Sequence, residues 1–335
     1  IVMSVNVNGT DFEEKQQIAD TFLFKVDTEI KQESLQVTMP GTTNTIHAEA
    51  SYILPTKELT YTFPLNTEIE SIQATPSKIY HKNTEYTPEE MPKPVMISES
   101  SFTAQNHLQT NQNEQWISYH IGTGIYDGIR QKILKIRLHP VRYNDQTLTW
   151  CEELDLSIKT STSSSKTVSN ANEEYTFLII TIGEYAQELN SLVTHKINNG
   201  ISTKVVRLSE ITSGAYFPTE GRDIQEQIKY FIKNAIEQWG TTDLMIVGSS
   251  TDIPSRETHV QVSSNDIEIF VSDLYYADIY DDTMNFSSWD TNNNDLFAEY
   301  HWIGKTDSLD FYPDVRLGRL ACTSEQQVET VVTKI

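Results

Sequence analysis

The chain reads as two unlike halves: a β-rich sandwich or barrel, then an α/β domain built on a parallel sheet in three layers. Three observations lead there. Apolar residues alternate over residues 1–159, a stretch rich in Ser, Thr and Asn fills 160–174, and from 175 onward short continuous apolar runs alternate with helical patterns.

In the first half, Tyr61, Phe63 and Leu65 share one face of an extended run while Thr60, Thr62 and Pro64 share the other. Leu134, Ile136 and Leu138 alternate with Lys135, Arg137 and His139, and the turn-prone Tyr143-Asn144-Asp145-Gln146 follows. A second alternating run holds Leu148, Trp150, Leu154, Leu156 and Ile158, so the pattern predicts a hairpin with one buried face, with a bulge or a shift of register at Glu152-Glu153. Polar connections such as Thr75 to Pro94 are expected between strands. His47, His81, His107, His120 and His139 are scattered and suit surface or hydrogen-bonded positions. Residues 160–174, TSTSSSKTVSNANEE, are too polar to bury a core and read as a flexible linker.

In the second half, Thr176 to Ile182 is a continuous apolar run suited to a strand covered on both faces. A helix with Ala186, Leu189, Leu192, Val193 and Ile197 on one side ends at Asn199-Gly200. A strand at Thr203 to Leu208 precedes a second helix whose face is Ile224, Ile228, Phe231, Ile232, Ala235 and Ile236. Asp223 is its expected N-cap and Gly240 its stop. Strands at Leu244 to Val247 and Asp314 to Leu320, and a helix from Thr323 with a Thr323/Gln326 capping box, complete the pattern. Strand alternating with helix builds a parallel sheet through right-handed crossovers, whose functional loops leave the carboxyl ends of the strands.

Composition limits the function. The formal net charge of -22 argues against nucleic acid, whose phosphates need Lys and Arg facing them. No apolar run approaches the roughly 20 residues that cross a bilayer as a helix. The sequons at Asn8 and Asn285 and the acidity suit a secreted or cell-surface protein. Cys151 and Cys322 fall in different halves, so a disulfide between them is not expected. The opening on Ile1 and the ending on a helix lead us to expect a piece of a longer chain.

The strongest chemical signal is WDTNNNDLFAEY, Trp289 to Tyr300. Asp290, Asn292, Asn294, the carbonyl of Leu296 and Glu299 offer oxygens at the short spacing that a hard cation such as Ca²⁺ requires, with Asp273 and Asp278 as additional donors. The EF-hand pattern fails, because Asp295 stands where Gly is wanted and the Glu comes at the tenth position. The same residues also suit a solvated turn. Asp281 and Asp282 read as surface charges, and Arg316 and Arg319 as partners for these acids. Cys322, between a strand end and a helix start, has a position that can activate a thiol with His301 or His259 as base, but no adjacent glycine, and reads as a half-buried structural cysteine.

The ordered motifs LMIVG, IPSR, SDLYYAD, WDTNNNDLFAE, PDVRLGRL and TSEQQVETVV together resemble the gingipain-type cysteine peptidases. KILKIRLHPVRYNDQTLTWCEELDLSIK is similar to their β-rich prodomain. The resemblance implies a prodomain over 1–159 and the first subdomain of a caspase-like domain over 175–335. It implies Ca²⁺ on Asp290, Asn292, Asn294 and Glu299, weakened because Asn294 stands where Asp is common. It also implies that no catalytic residue lies in this chain. The His and Cys are expected in a C-terminal half of the same precursor, possibly a separate chain, acting on a protein or peptide substrate. An exposed basic loop residue such as Arg130 is the speculative substrate mimic by which the prodomain inhibits. A non-catalytic cell-surface or secretion-associated binding protein on the same scaffold is the alternative.

Overall fold

The computed structural model describes residues 2–4, 13–31, 34–46, 52–89, 116–163, 174–263 and 266–335. Two units emerge: residues 1–121 with 132–165, and residues 122–131 with 166–335. Most of the expected linker, together with Asn8, His47 and His107, lies outside the described residues.

The first unit is antiparallel. Its strands are β1 (Val2–Ser4), β2 (Glu13–Leu23), β3 (Asp27–Lys31), β4 (Ser34–Thr38), β5 (Thr43–Ile46), β6 (Ile53–Phe63), β7 (Thr67–Asn83), β8 (Ile117–Tyr126), β9 (Ile129–Leu138), β10 (Val141–Asn144) and β11 (Thr147–Ser163). One sheet runs β1-β2-β11-β10, with β7 along the other side of β11, and a second runs β5-β6-β9-β8. The alternation seen in the sequence explains the core. Leu134, Ile136 and Leu138 of β9 and Leu148, Leu154, Leu156 and Ile158 of β11 bury their side chains in one cluster shared by both sheets.

These two runs do not form the expected hairpin. β9 pairs with β6, Leu59 opposite Ile136, whereas β11 pairs with β10 across Asp145-Gln146, both at positive φ. Alternation reports which side chains are buried; it does not choose between a neighbour in the same sheet and one in the facing sheet. The bulge or register shift expected at Glu152-Glu153 falls elsewhere: Cys151 faces Ile79 and Glu153 faces Ser77 in one register against β7, which shifts at Lys159/Thr160. Residues 75–83, expected in a connection, continue β7, and residues 160–163 continue β11, since each finds a full ladder partner there.

The second unit carries β12 (Phe177–Thr181), α1 (Asn190–Asn198), β13 (Thr203–Arg207), α2 (Leu208–Thr212), α3 (Ile224–Trp239), β14 (Asp243–Val247), β15 (Arg256–Ser263), β16 (Asp266–Ser272), β17 (Arg316–Leu320) and α4 (Glu325–Val332). Its parallel sheet has the order β13-β12-β14-β17. Successive residues of β12 feed opposite layers. Leu178 and Ile180 pack with α3 and with Tyr275, Trp289 and Phe297, while Phe177 and Ile179 pack with Leu192 of α1 and Val328 of α4. Helices therefore cover one face of the sheet, and α3 together with the long irregular connection before β17 covers the other. Among the described residues no helix is long and apolar enough to cross a membrane.

Helix ends follow local chemistry. The Asp223 carboxylate accepts the Glu226 N–H at 2.8 Å, and Gly240 closes α3 at φ 72°. α4 is capped one residue later than expected: Ser324 accepts from the Gln327 N–H, and the Gln327 side chain accepts the Thr323 N–H. Ile224, expected on the buried face of α3, is exposed, whereas Lys229 is fully buried. Asp223 also takes a two-pronged grip from the buried Arg256, at 2.7 Å to each oxygen. Burial disfavours its charge, but these bonds hold Asp223 below the usual carboxylate range. Asp223→Ala removes a cap and the carboxylate partner of a buried guanidinium, which keeps only the Tyr275 hydroxyl and two ring faces, and we expect a loss of about 2–3 kcal/mol in a denaturant titration. A change under about 1 kcal/mol would show that the pair is not coupled to folding.

Candidate functional site

Four parallel strands end at Thr181, Arg207, Val247 and Leu320, and the loops there form the edge where a parallel sheet builds its sites. Arg319, in the last strand, organises that edge. Its Nε and Nη2 donate to the two oxygens of Asp273 at 2.5 and 2.7 Å. Its Nη1 donates to the carbonyls of Gly248, Ser249 and Ile253 at 2.9, 3.3 and 3.0 Å. Ser255 Oγ donates to Asp273 at 2.6 Å. Burial opposes ionisation of Asp273, but the Arg319 fork and Ser255 keep its pKa below the ordinary value. The turn after β14 is fixed by Gly248 at φ 136° and by Asp252, whose carboxylate accepts the N–H and the hydroxyl of Ser249 at 2.9 and 2.8 Å.

Cys322 follows this edge but is 5% exposed, among Tyr185, Leu189, Leu192, Val247 and Val328, and burial pushes its thiol up. An open cavity of about 680 Å³ beside it is lined by Arg319, Ser324, Gln327 and Val331. His259 is engaged elsewhere, its ring hydrogen-bonded to the Phe297 carbonyl and set edge-on to Trp302. His301 lies against the Tyr300 ring. The geometry pairs neither histidine with the thiol.

The structure divides the expected cation ligands into three groups. Asn292 and Asn294 both donate their amides to Glu299 Oε2, at 2.5 and 3.0 Å, and Glu299 Oε1 is buried without a protein partner. These three converge, and their chemistry fits a hard cation once the amides present oxygen. Asp290 is occupied differently: it accepts the N–H groups of Asn294 and Asp295 and pairs with Arg222 Nη1 at 2.5 Å. Leu296 joins the loop through its N–H, which donates to Asn294 Oδ1. Asp273 is held by Arg319, and Asp278 accepts from Trp289 Nε1 at 2.8 Å, so neither stands with Glu299. Among the described residues, no three His, Cys, Asp or Glu side chains gather as a metal site. Of the two arginines, Arg319 meets an acid of the expected group, and Arg316 meets Asp243 on the adjacent strand.

A family model described as peptidase family C25 matches residues 170–335. The second half of this chain belongs to peptidase family C25. No curated protein matches the chain. Among the solved structures similar to it are the following three. A protease is 14% identical, with a TM-score of 0.31 over 51% of this chain and 29% of that one. The complex of pro- and mature domains of Porphyromonas gingivalis RgpB is 21% identical, with a TM-score of 0.29 over 47% and 27%. Dimeric latent PorU from Porphyromonas gingivalis is 9% identical, with a TM-score of 0.34 over 99% and 38%. The chain thus spans less than a third of the length of the first two.

Arg130 does not occupy the exposed loop position expected of it. Residues 122–131 group with the second unit, and Arg130 opens β9 with its guanidinium largely buried. Its Nε and Nη2 donate to the Asp314 carbonyl at 3.1 and 2.8 Å, and Nη2 also to the Thr241 carbonyl at 3.2 Å. Both carbonyls precede their strands, so Arg130 sits at the amino edge of the sheet, opposite Arg319. The residues that sequence reading missed are Arg222, Arg256, Asp310 and Asp314, each of which reaches a partner tens of residues away, and Asp307, whose partners Thr291 and Glu299 are 16 and 8 residues away. Asp307 holds the acidic loop, accepting the Thr291 N–H at 2.8 Å and the Glu299 N–H at 2.9 Å. Spacing within one motif carries no signal for such contacts.

Burial raises both thiols, Cys151 to about 11, and each pKa unit lowers the thiolate fraction tenfold at a given pH. Neither cysteine should react with iodoacetamide at pH 8 in the folded chain, and both should react in guanidinium; fast native labelling of Cys322 would mark it as an accessible nucleophile.

Proposed function

We propose that this chain is the N-terminal portion of a secreted gingipain-like cysteine endopeptidase: a β-sandwich prodomain followed by the first, non-catalytic subdomain of a caspase-like domain. The observation that carries the reading is the C25 match over a parallel sheet whose carboxyl edge is rigidly built around Arg319 and Asp273, yet has no thiol paired with an imidazole among the described residues. The His and Cys are supplied by the C-terminal half of the precursor. There a His-activated thiolate attacks the peptide carbonyl of a protein substrate, the amine leaves, and water releases the acyl group. This chain's part is to hold the sheet edge against which that half completes the cleft. Glu299, Asn292 and Asn294 would hold Ca²⁺, which would stiffen the acidic loop, while Asp290 fixes the loop to Arg222.

The chain alone should hydrolyse no fluorogenic peptide, and adding a polypeptide that carries the His and Cys should restore hydrolysis. Activity of the chain alone, lost in Cys322→Ala, would overturn the reading. A precursor lacking either catalytic residue would leave a binding scaffold in its place. For the metal, melting in excess Ca²⁺ and in chelator separates the outcomes. A ligand held only by the folded state adds about 2.7 kcal/mol at a hundredfold excess over its Kd. Tm should rise with Ca²⁺ and the rise should vanish in Glu299→Gln; equal Tm values in both buffers would remove calcium from the loop.

A further inference from the structure

Residues 122–131 form the tip of the β8–β9 hairpin, turned at Asp127-Gly128 with φ of 50° and 79°. Within the second unit this tip lies flat against residues 310–313. The Thr123 N–H donates to Asp310 Oδ2 at 2.9 Å, the Ile125 N–H to the Pro313 carbonyl at 2.8 Å, and the Thr123 hydroxyl to the Asp281 carbonyl at 3.2 Å. The approach is close enough to require glycine. A Cβ on Gly124 would stand 2.8 Å from the Pro313 carbonyl, and one on Gly122 would enter the Tyr312 ring. Two carboxyls anchor the receiving segment. Asp310 also accepts the Tyr312 N–H at 2.9 Å, and Asp314, wholly buried, accepts the Ile279 and Tyr280 N–H groups at 2.8 and 2.9 Å. Asp314 Oδ1 has no hydrogen-bond partner and lies 4.0 Å from Arg130 Nε.

We propose that Asp310 and Asp314 form a pH-sensitive clasp that holds residues 122–126 against 310–313 in acid and loosens as the solution approaches neutrality. Like charges act on the two buried carboxyls: the buried Asp278 on both and the exposed Asp282 on Asp310, while the part-buried Asp281 acts on Asp278. Arg130 and Lys229 oppose them at Asp314, and Tyr280 and Tyr312 stay neutral throughout the range concerned. Burial, with Asp278 adding to it, raises both Asp310 and Asp314 to about 7, against 3.8 for a free aspartate. A carboxyl whose pKa is higher in the closed state stabilises that state fully below the open-state value. That support is lost progressively up to the closed-state value, here from about pH 4 to about pH 7. Lys229, lowered to about 7 by burial, is charged on both sides of most of this window, so the aspartates govern it.

Hydrogen exchange on the full chain at pH 5 and pH 7, corrected for intrinsic rates, tests the clasp. Protection of residues 122–126 should fall by at least about tenfold between the two, one pKa unit being a factor of ten. Protection in α3 and β12 should hold. Asp310→Asn with Asp314→Asn keeps an acceptor oxygen at each site and removes the titration, so the fall should disappear. Unchanged protection of 122–126 in the unaltered chain, an equal loss across α3 and β12, or a double variant that keeps the full pH dependence would each overturn the proposal. Should the double variant fail to fold, the segment comparison in the unaltered chain decides.

Discussion

The structure of the second unit depends on one constraint: the connection from Gly248 to Val315 has to cover a face of a parallel sheet with only a hairpin and a short 3-10 turn of regular structure. Backbone amides buried in an irregular segment find no ladder and need other acceptors. Aspartate supplies them. Asp281 accepts the N–H groups of Thr283 and Asn285, Asp290 those of Asn294 and Asp295, Asp307 those of Thr291 and Glu299, Asp310 those of Thr123 and Tyr312, and Asp314 those of Ile279 and Tyr280. Much of the acidity that suggests metal binding in the sequence is therefore committed to the backbone.

Buried carboxylates need compensation, and cations enter from the surrounding elements. Arg222 links Glu226 of α3 to Asp290, and its hydrogen bonds to both raise its own pKa. Arg256 lies over the Tyr275 and Phe297 rings while gripping Asp223. Lys229 reaches from α3 into the aromatic cluster, over the Tyr275 ring at 4.1 Å, and donates to the Ser287 carbonyl. Each of these side chains ties the irregular layer to a helix, so helix, sheet and connection are fixed together rather than in sequence. Removing one partner of such a pair exposes the cost of the remaining buried charge.

The two ends of the sheet are built for different purposes. At the carboxyl end Arg319 gathers three carbonyls and a carboxylate into one rim. At the amino end the pair Asp310 and Asp314 receives a hairpin tip that carries Arg130, through backbone contacts that only glycine allows. A basic residue placed there cannot also occupy a cleft at the opposite rim.

What the sequence determined by itself was local and periodic. The apolar run at β12, the face of α3 with its Asp223 cap and Gly240 stop, and the buried alternation of β9 and β11 all follow from the period of the apolar side chains and from capping chemistry within one turn of helix. The convergence of Asn292, Asn294 and Glu299 was legible for the same reason, since the three lie within one loop. Only the tertiary structure decided the rest. It assigned β9 and β11 to facing sheets and paired Asp290 with Arg222. It tied Asp273 to Arg319 and Asp278 to the Trp289 indole, and carried Arg130 to the amino edge beside Asp314. Each of those outcomes joins residues far apart in the chain, where spacing fixes no distance and the partner is chosen by which charge would otherwise be left buried alone.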